Sequence, residues 1–182
     1  IEQAQIDERR GRLGQTQEQI VTERMLFRGV YAKDLREIGI GVARGLGAVR
    51  PLLAEYPPIA GLLLVGHSSD VAQVQTLTAS LQVQAMVAMR SWWLEHRHFY
   101  VEQREGVKRR ARSGFLRGFA VGAMSRIEES RRVAVEESGT GTELVLASRR
   151  SRVDAAVDEM HTSQARRRRT ADAGSWSYGH RS

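Results

Sequence analysis

The sequence has no cysteine among its 182 residues. Disulfide bonds, thiolate metal ligands and a sulfur nucleophile are therefore excluded from its chemistry. No stretch approaches the roughly 20 apolar residues that a membrane-spanning helix needs, and we recognise no secretory signal. We therefore expect a cytoplasmic protein without a membrane partner.

Cations exceed anions in this chain. Lys and Arg number 28 against 21 Asp and Glu, which gives a net charge of +7. All but two of the cations are arginine, whose planar guanidinium binds phosphate oxygens in pairs. DNA or RNA is therefore a reasonable partner. The Ala, Gly, Val and Arg content is also typical of GC-rich coding, which would explain the arginine without any function.

A helix with a buried face is predicted between Arg104 and Arg132, because apolar residues recur there at every fourth position. These residues are Phe115, Phe119, Ala123 and Ile127. Glycine recurs in the same way at Gly114, Gly118 and Gly122. Each glycine costs a helix roughly 1 kcal/mol relative to alanine, so the repeat indicates a closely packed neighbour. We expect this neighbour to be the helix predicted for residues 70–98, whose apolar seam needs a partner.

Two clusters of cations stand out. The first precedes the apolar stripe and comprises Arg104, Lys108, Arg109, Arg110 and Arg112. The second comprises Arg166, Arg167, Arg168 and Arg169, and the aromatic residues Trp176 and Tyr178 follow it. Cations attract a nucleic-acid backbone, and aromatic rings stack on its bases. The alternatives are a solvated helix face for the first cluster, and a solubilising tail or an acidic protein partner for the second.

The predicted fold class is α+β, with a small sheet of about three strands covered on one side by two long helices, 70–98 and 106–135. Leu62–Val65 is the best candidate for a buried strand, and Pro51 places the preceding apolar run at a sheet edge. The third strand is expected at Leu144–Ala147. Flanking helices are predicted at residues 35–46 and from Arg149 to about His161.

The chain is predicted to contain a single domain with two polar ends. Residues 1–24 are rich in Gln and Glu and are interpreted as a helical end and a linker. Residues 25–163 form the predicted domain. Residues 164–182 are an arginine-rich tail without periodicity, which we expect to be disordered in isolation.

The sequence contains no motif that is specific for catalysis. The candidate metal ligands are His96, His98, Asp154, Asp158 and His161, and no HExxH sequence accompanies them. The turn 66–70 joins a strand to a helix, but it lacks the lysine and glycine spacing of a phosphate loop. No serine lies in a nucleophile elbow. We expect neither a metal nor a cofactor, and a metal-dependent hydrolase is the least favoured function.

Four segments occur in an order that is known from a protein family. They are Val65-Gly66-His67 with Asp70, SLQVQAMVAM, RSGFLRGFAVGAMSRI and GTELVLASR. Over most of residues 25–182 the chain resembles actinobacterial proteins of the uncharacterised domain-of-unknown-function family 2786. The resemblance implies strands around Leu62 and Leu144 and occurrence in bacteria and their phages, and it implies no activity. Residues 1–8 are similar to the end of the helical module that opens such proteins, so we expect that most of this module is missing here.

The leading hypothesis from the sequence is a non-enzymatic protein that binds nucleic acid through its two arginine clusters. The alternative is a structural or assembly protein of a larger bacterial or phage-derived complex, in which arginines meet acidic protein surfaces and apolar seams meet other copies of the chain.

Overall fold

The computed structural model describes residues 18–138, 140–160 and 173–182. Within these ranges the chain forms a three-stranded sheet and five α-helices, so the predicted α+β class is confirmed. The elements are β1 (Ile20–Phe27), α1 (Ala32–Leu46), β2 (Arg50–Tyr56), β3 (Ile59–His67), α2 (Ser68–His96), α3 (Glu105–Ser138), α4 (Thr140–Asp158) and α5 (Ala173–Arg181). A short 3-10 helix, Arg97–Tyr100, follows α2.

The sheet is antiparallel with the strand order β1-β3-β2. Its central strand β3 includes the predicted strand Leu62–Val65, whose uninterrupted apolar run fits burial on both faces. Leu62 is fully buried and lies opposite Met25 of β1 and Leu53 of β2. Pro51 lies in β2, which is an edge strand as predicted.

The two faces of the sheet are covered differently. Leu62 and Leu64 face the main core, which α1, α2 and α3 complete. On the opposite face Arg50 lies across from Val65, and its guanidinium binds the Asp154 carboxylate of α4 at 2.5 and 3.0 Å. Val153 is buried beside this ion pair. The helix α4 therefore covers the second face of the sheet.

The long helix α3 packs against α1 through small residues. A Cβ atom at Gly41 would lie 2.9 Å from the Ala120 carbonyl oxygen, and one at Gly45 would lie 2.9 Å from the Ile127 Cβ atom. Glycine at these two positions therefore allows α1 to lie close along α3. Gly47 ends α1 in the left-handed conformation (φ 71°).

The glycine face of α3 does not pack where the sequence predicts. Phe115 does stack on Trp92 of α2, with ring centroids 5.2 Å apart. Gly118 and Gly122, however, lie against the backbone of α5. The expectation that α2 covers the glycine repeat is therefore wrong, because a shorter helix from the C-terminal segment lies there.

Three further expectations about secondary structure are wrong. Leu144–Ala147 lies inside α4, since a four-residue apolar run fits a helix as well as a strand and the sheet takes β1 as its third strand. Residues 20–24 are the start of β1 rather than a linker, because their backbone pairs with residues 63–67 of β3. Residues 173–181 of the tail form α5, and Gly179 and Ser175 are buried in it. Residues 1–17 lie outside the described ranges.

None of the helices seen in the described parts of the chain is both long enough and apolar enough to cross a membrane.

Candidate functional site

The predicted domain cluster lies at the start of α3. Arg104 directly precedes the helix, and Lys108, Arg109, Arg110 and Arg112 fall within its first two turns. Arg104, Arg109 and Arg110 are exposed, whereas the side chains of Lys108 and Arg112 are about a quarter exposed. The N-terminus of a helix already carries partial positive charge, so these cations add to a positive field and favour a bound anion.

Protein groups neutralise only part of this cluster. The Glu105 carboxylate lies 3.2 Å from the Lys108 ammonium and 3.7 Å from the Arg112 guanidinium. Arg109 donates a hydrogen bond to the Val30 carbonyl oxygen (3.1 Å). Arg104 and Arg110 form no ion pair with any residue of the described ranges. Exposed ion pairs contribute about 0–1 kcal/mol each, so a polyanion could compete for these cations.

Arg112 links the cluster to an aromatic surface at the end of α2. Its guanidinium lies over the Trp93 ring, 4.8 Å from the centroid. Trp93 contacts Trp92 with ring centroids 6.0 Å apart, and Trp92 stacks on Phe115 of α3. Cation–π and aromatic contacts therefore join the first turns of α3 to the last turns of α2.

Tyr178 of α5 joins the same surface. Its ring lies 6.0 Å from Trp92 and 4.6 Å from His96, and the Arg181 guanidinium lies 5.2 Å from its centroid. We call Trp92, Trp93, His96, Phe115 and Tyr178 the aromatic junction. It brings one of the two aromatic residues predicted in the tail next to the domain cluster, although they are distant in sequence.

Part of this surface is open to solvent. Tyr178 is 42% exposed, and Phe99, which contacts both His96 and His98, is 69% exposed. Exposed rings beside cations are suited to stacking on unpaired bases. From the sequence, His96 and His98 are predicted only as candidate metal ligands, and no role is predicted for Phe99 or Arg181. The mixture of aromatic and histidine residues at positions 92–100 is the signal that could have identified them.

The other predicted tail residues are not at the junction. Trp176 stacks on His180 and lines a groove between α1 and α3 that also contains Arg44 and Met124. Arg166, Arg167, Arg168 and Arg169 lie outside the described ranges. The structure therefore brings together the domain cluster and Tyr178, and places Trp176 on another side of α5.

The N-terminus of α2, where the turn 66–70 was considered as a phosphate site, is occupied by side chains of the chain itself. The Glu18 carboxylate accepts hydrogen bonds from the Ser68 hydroxyl (2.9 Å) and the Ser69 backbone amide. Arg149 of α4 donates to Glu18 (3.0 Å) and Asp70 (2.8 Å). The hydrogen bonds from Ser69, together with that from Arg149, lower the pKa of Glu18 from its ordinary 4.5 to about 2. This carboxylate takes the place that a phosphate would need.

The candidate metal ligands are divided between two regions. His96 belongs to the aromatic junction, and its Nδ1–H donates to the Trp92 carbonyl oxygen at 2.8 Å. Asp154 binds Arg50, and His161 lies outside the described ranges. No group of three or more His, Asp or Glu side chains suited to a metal ion is found in the part of the chain that the structure describes.

Comparison of the chain with protein-family models, with curated proteins and with solved structures gives no match. The resemblance to the domain-of-unknown-function family 2786 therefore stays a prediction.

Proposed function

We propose that the protein binds nucleic acid, preferentially single-stranded, on the surface formed by the domain cluster and the aromatic junction. The observation that supports this most is the series of contacts from Arg112 through Trp93 and Trp92 to Tyr178. These contacts link the first turns of α3, which carry the cations, to Tyr178, and Phe99 joins through His96; both rings are solvent-accessible.

The two kinds of group would have different tasks. The cations neutralise phosphates and release counterions, which gives affinity that falls steeply with salt. The exposed rings stack on bases, and each stacked base contributes about 1–3 kcal/mol of binding free energy, whichever base it is. A duplex hides the faces of its bases, so the same protein should bind a duplex through its cations alone.

Binding to labelled DNA and RNA oligonucleotides, single-stranded and duplex, at low and high salt tests the proposal. The variant Arg109→Glu with Arg110→Glu should abolish binding, because it reverses two of the five charges. The control is Arg44→Glu, an exposed arginine of α1 that lines the same groove as Met124, roughly 20 Å further along α3 at 1.5 Å per residue. It is compared with the single variant Arg110→Glu, which changes the net charge by the same two units, and equal loss of binding in these two variants would show that only the net charge matters.

Stacking is tested separately at Tyr178. Tyr178→Ala should weaken single-strand binding by roughly fivefold to 150-fold, which corresponds to the loss of one stacked base. Tyr178→Phe retains the ring and should bind almost as tightly as the unmodified protein. Absence of binding to all oligonucleotides at low salt, or equal binding to polyglutamate, would contradict the proposal and favour an acidic protein partner.

A further inference from the structure

The exposed face of α2 is almost without charge. Residues 71–89 contain no Asp, Glu, Lys, Arg or His, although 27% of the chain is charged and about five charged residues would be expected in such a stretch. The stretch spans about 28 Å of helix. A helix that is buried on all sides is ordinarily uncharged, so the absence of charge in this stretch of α2 needs a further explanation only if part of the helix is exposed.

Burial accounts for only one side of this helix. Val71, Val74, Thr78, Ala85 and Met89 are buried against the core. On the opposite side a row of residues at alternating steps of four and three is exposed, and Arg90 is its one charged member. The row consists of Thr76, Ser80, Val83, Val87, Arg90 and Leu94. Val83, Val87 and Leu94 are each at least 60% exposed.

The row is divided into a small and a large half. Thr76 and Ser80, with Gln73 and Ala72 beside them, line a shallow open depression. Val83, Val87 and Leu94 project from the other half. Two such helices in antiparallel orientation would place the large half of each against the small half of the other, which is the self-complementarity that a two-fold symmetric interface requires.

The near absence of charge on this face of α2 favours a second copy of the chain as its binding partner. Two molecules of net charge +7 repel each other, and this repulsion is weakest where the contact surface carries no charge. A nucleic acid would find almost no cation here, and a charged protein partner would lose hydration without gaining an opposite charge. Depletion of charged residues is also what distinguishes the centre of protein interfaces.

We propose that two copies of this chain associate through α2, in antiparallel orientation, with the two-fold axis between Ser80 and Val83. Val87 of each copy then lies against Thr76 of the other. Helices that pack along about 28 Å bury less than the roughly 1,200 Å² of a standard interface, so the dimer forms reversibly. This inference is independent of nucleic-acid binding, because the face lacks the groups that bind phosphate.

Sedimentation over a range of about 10–500 µM tests the association, since weak pairs dissociate in this range. The protein should shift from monomer to dimer with increasing concentration. Val83→Glu places an unpaired charge at the centre of the face and should leave a monomer at all these concentrations. Leu144→Glu is the matched control, because it changes an exposed apolar residue of α4 to the same charge, and it should dimerise normally.

Orientation is tested by cross-linking, for which the absence of cysteine is convenient. Thr76→Cys chains mixed with Val87→Cys chains should form mixed disulfide-linked dimers under mild oxidation in large excess over dimers of either single variant. A strict monomer at every concentration, undiminished dimerisation of Val83→Glu, or cross-links mainly between identical variants would overturn the proposal. A monomer would also mean that any occupant of this face is a different protein.

Discussion

Gly118→Ala tests whether α5 is an integral part of the fold. A Cβ atom at this position would lie 2.7 Å from the His180 backbone nitrogen and still closer to the Trp176 carbonyl oxygen. Both neighbours are backbone atoms and cannot rotate away as a side chain could. Gly179 of α5 is equally restricted, since its Cβ would lie 2.6 Å from the Phe115 carbonyl carbon. The alanine must therefore displace α5 as a whole.

Two opposing effects determine the sign of the stability change. Alanine stabilises a helix interior by about 1 kcal/mol relative to glycine. Overpacking against α5 costs about 1–3 kcal/mol, and displacement of α5 would also remove Tyr178 from Trp92 and His96. In the full chain we expect the free energy of unfolding to decrease by about 1–2 kcal/mol, which corresponds to a decrease in melting temperature of roughly 2–8 °C.

Removal of α5 should reverse the sign of the stability change that Gly118→Ala causes. In a chain that ends at residue 172, only the propensity effect remains, and Gly118→Ala should raise the melting temperature by roughly 2–4 °C. Gly106→Ala is the matched control in the same helix, because an added Cβ atom would lie 4.0 Å from the flexible end of the Arg110 side chain, which is an ordinary van der Waals distance. It should stabilise both chains. Circular dichroism on heating provides the measurement, and stabilisation of the full chain by Gly118→Ala to the same extent as by Gly106→Ala would refute the close packing of α5.

Two other predictions concern the scaffold. The lowered pKa of Glu18 means that its carboxylate stabilises the fold above pH 4.5 and that this contribution is lost as the pH falls towards about 2, so the free energy of unfolding should decrease through that window. Glu18→Gln should cost about 1 kcal/mol at neutral pH and reduce this acid dependence, and an unchanged acid profile in denaturant titrations would argue against the capping role. Leu62→Ala should destabilise the protein by about 2.7–5 kcal/mol because Leu62 is fully buried, whereas Leu144→Ala at a 74% exposed position should change stability by less than about 0.5 kcal/mol in the same titrations.

Sequence periodicity predicted the elements whose pattern extends over many residues. The helices 70–98 and 106–135 correspond to α2 and α3 within three residues at each end. The strand Leu62–Val65 was also predicted, since a continuous apolar run next to a proline-containing turn has few other interpretations. Long patterns are reliable because many side chains must agree with one period.

The errors occur where tertiary contacts decide the structure. Leu144–Ala147 could be a strand or a helix by itself, and in the structure it lies in α4 while β1 pairs with β3 as the third strand. The segment of α5 has no apolar stripe, because its packing depends on the small residues Ser175 and Gly179 rather than on large ones. Their spacing of four, which matches that of Gly118 and Gly122, is the sequence signal for this helix.

The two proposals can be tested together by varying the length of the single-stranded oligonucleotide. In the proposed antiparallel dimer, the ends of α2 that carry Trp92 and His96 point away from the two-fold axis. The two aromatic junctions would then lie roughly 36 Å apart, from about 12 residues of helix on each side of the axis. A single strand long enough to span this distance can bind both copies, and the second contact becomes intramolecular.

Val83→Glu should therefore distinguish short from long oligonucleotides. It should leave the affinity for a short strand unchanged, because the domain cluster and the junction are intact. It should lower the affinity for a strand that spans both junctions by tenfold or more, since avidity commonly contributes factors of about 10²–10⁴. Tyr178→Ala, in contrast, should weaken binding of both lengths. A uniform effect of Val83→Glu on both strands would indicate that this residue contacts the ligand or supports the site, and that the dimer does not present two sites to one strand.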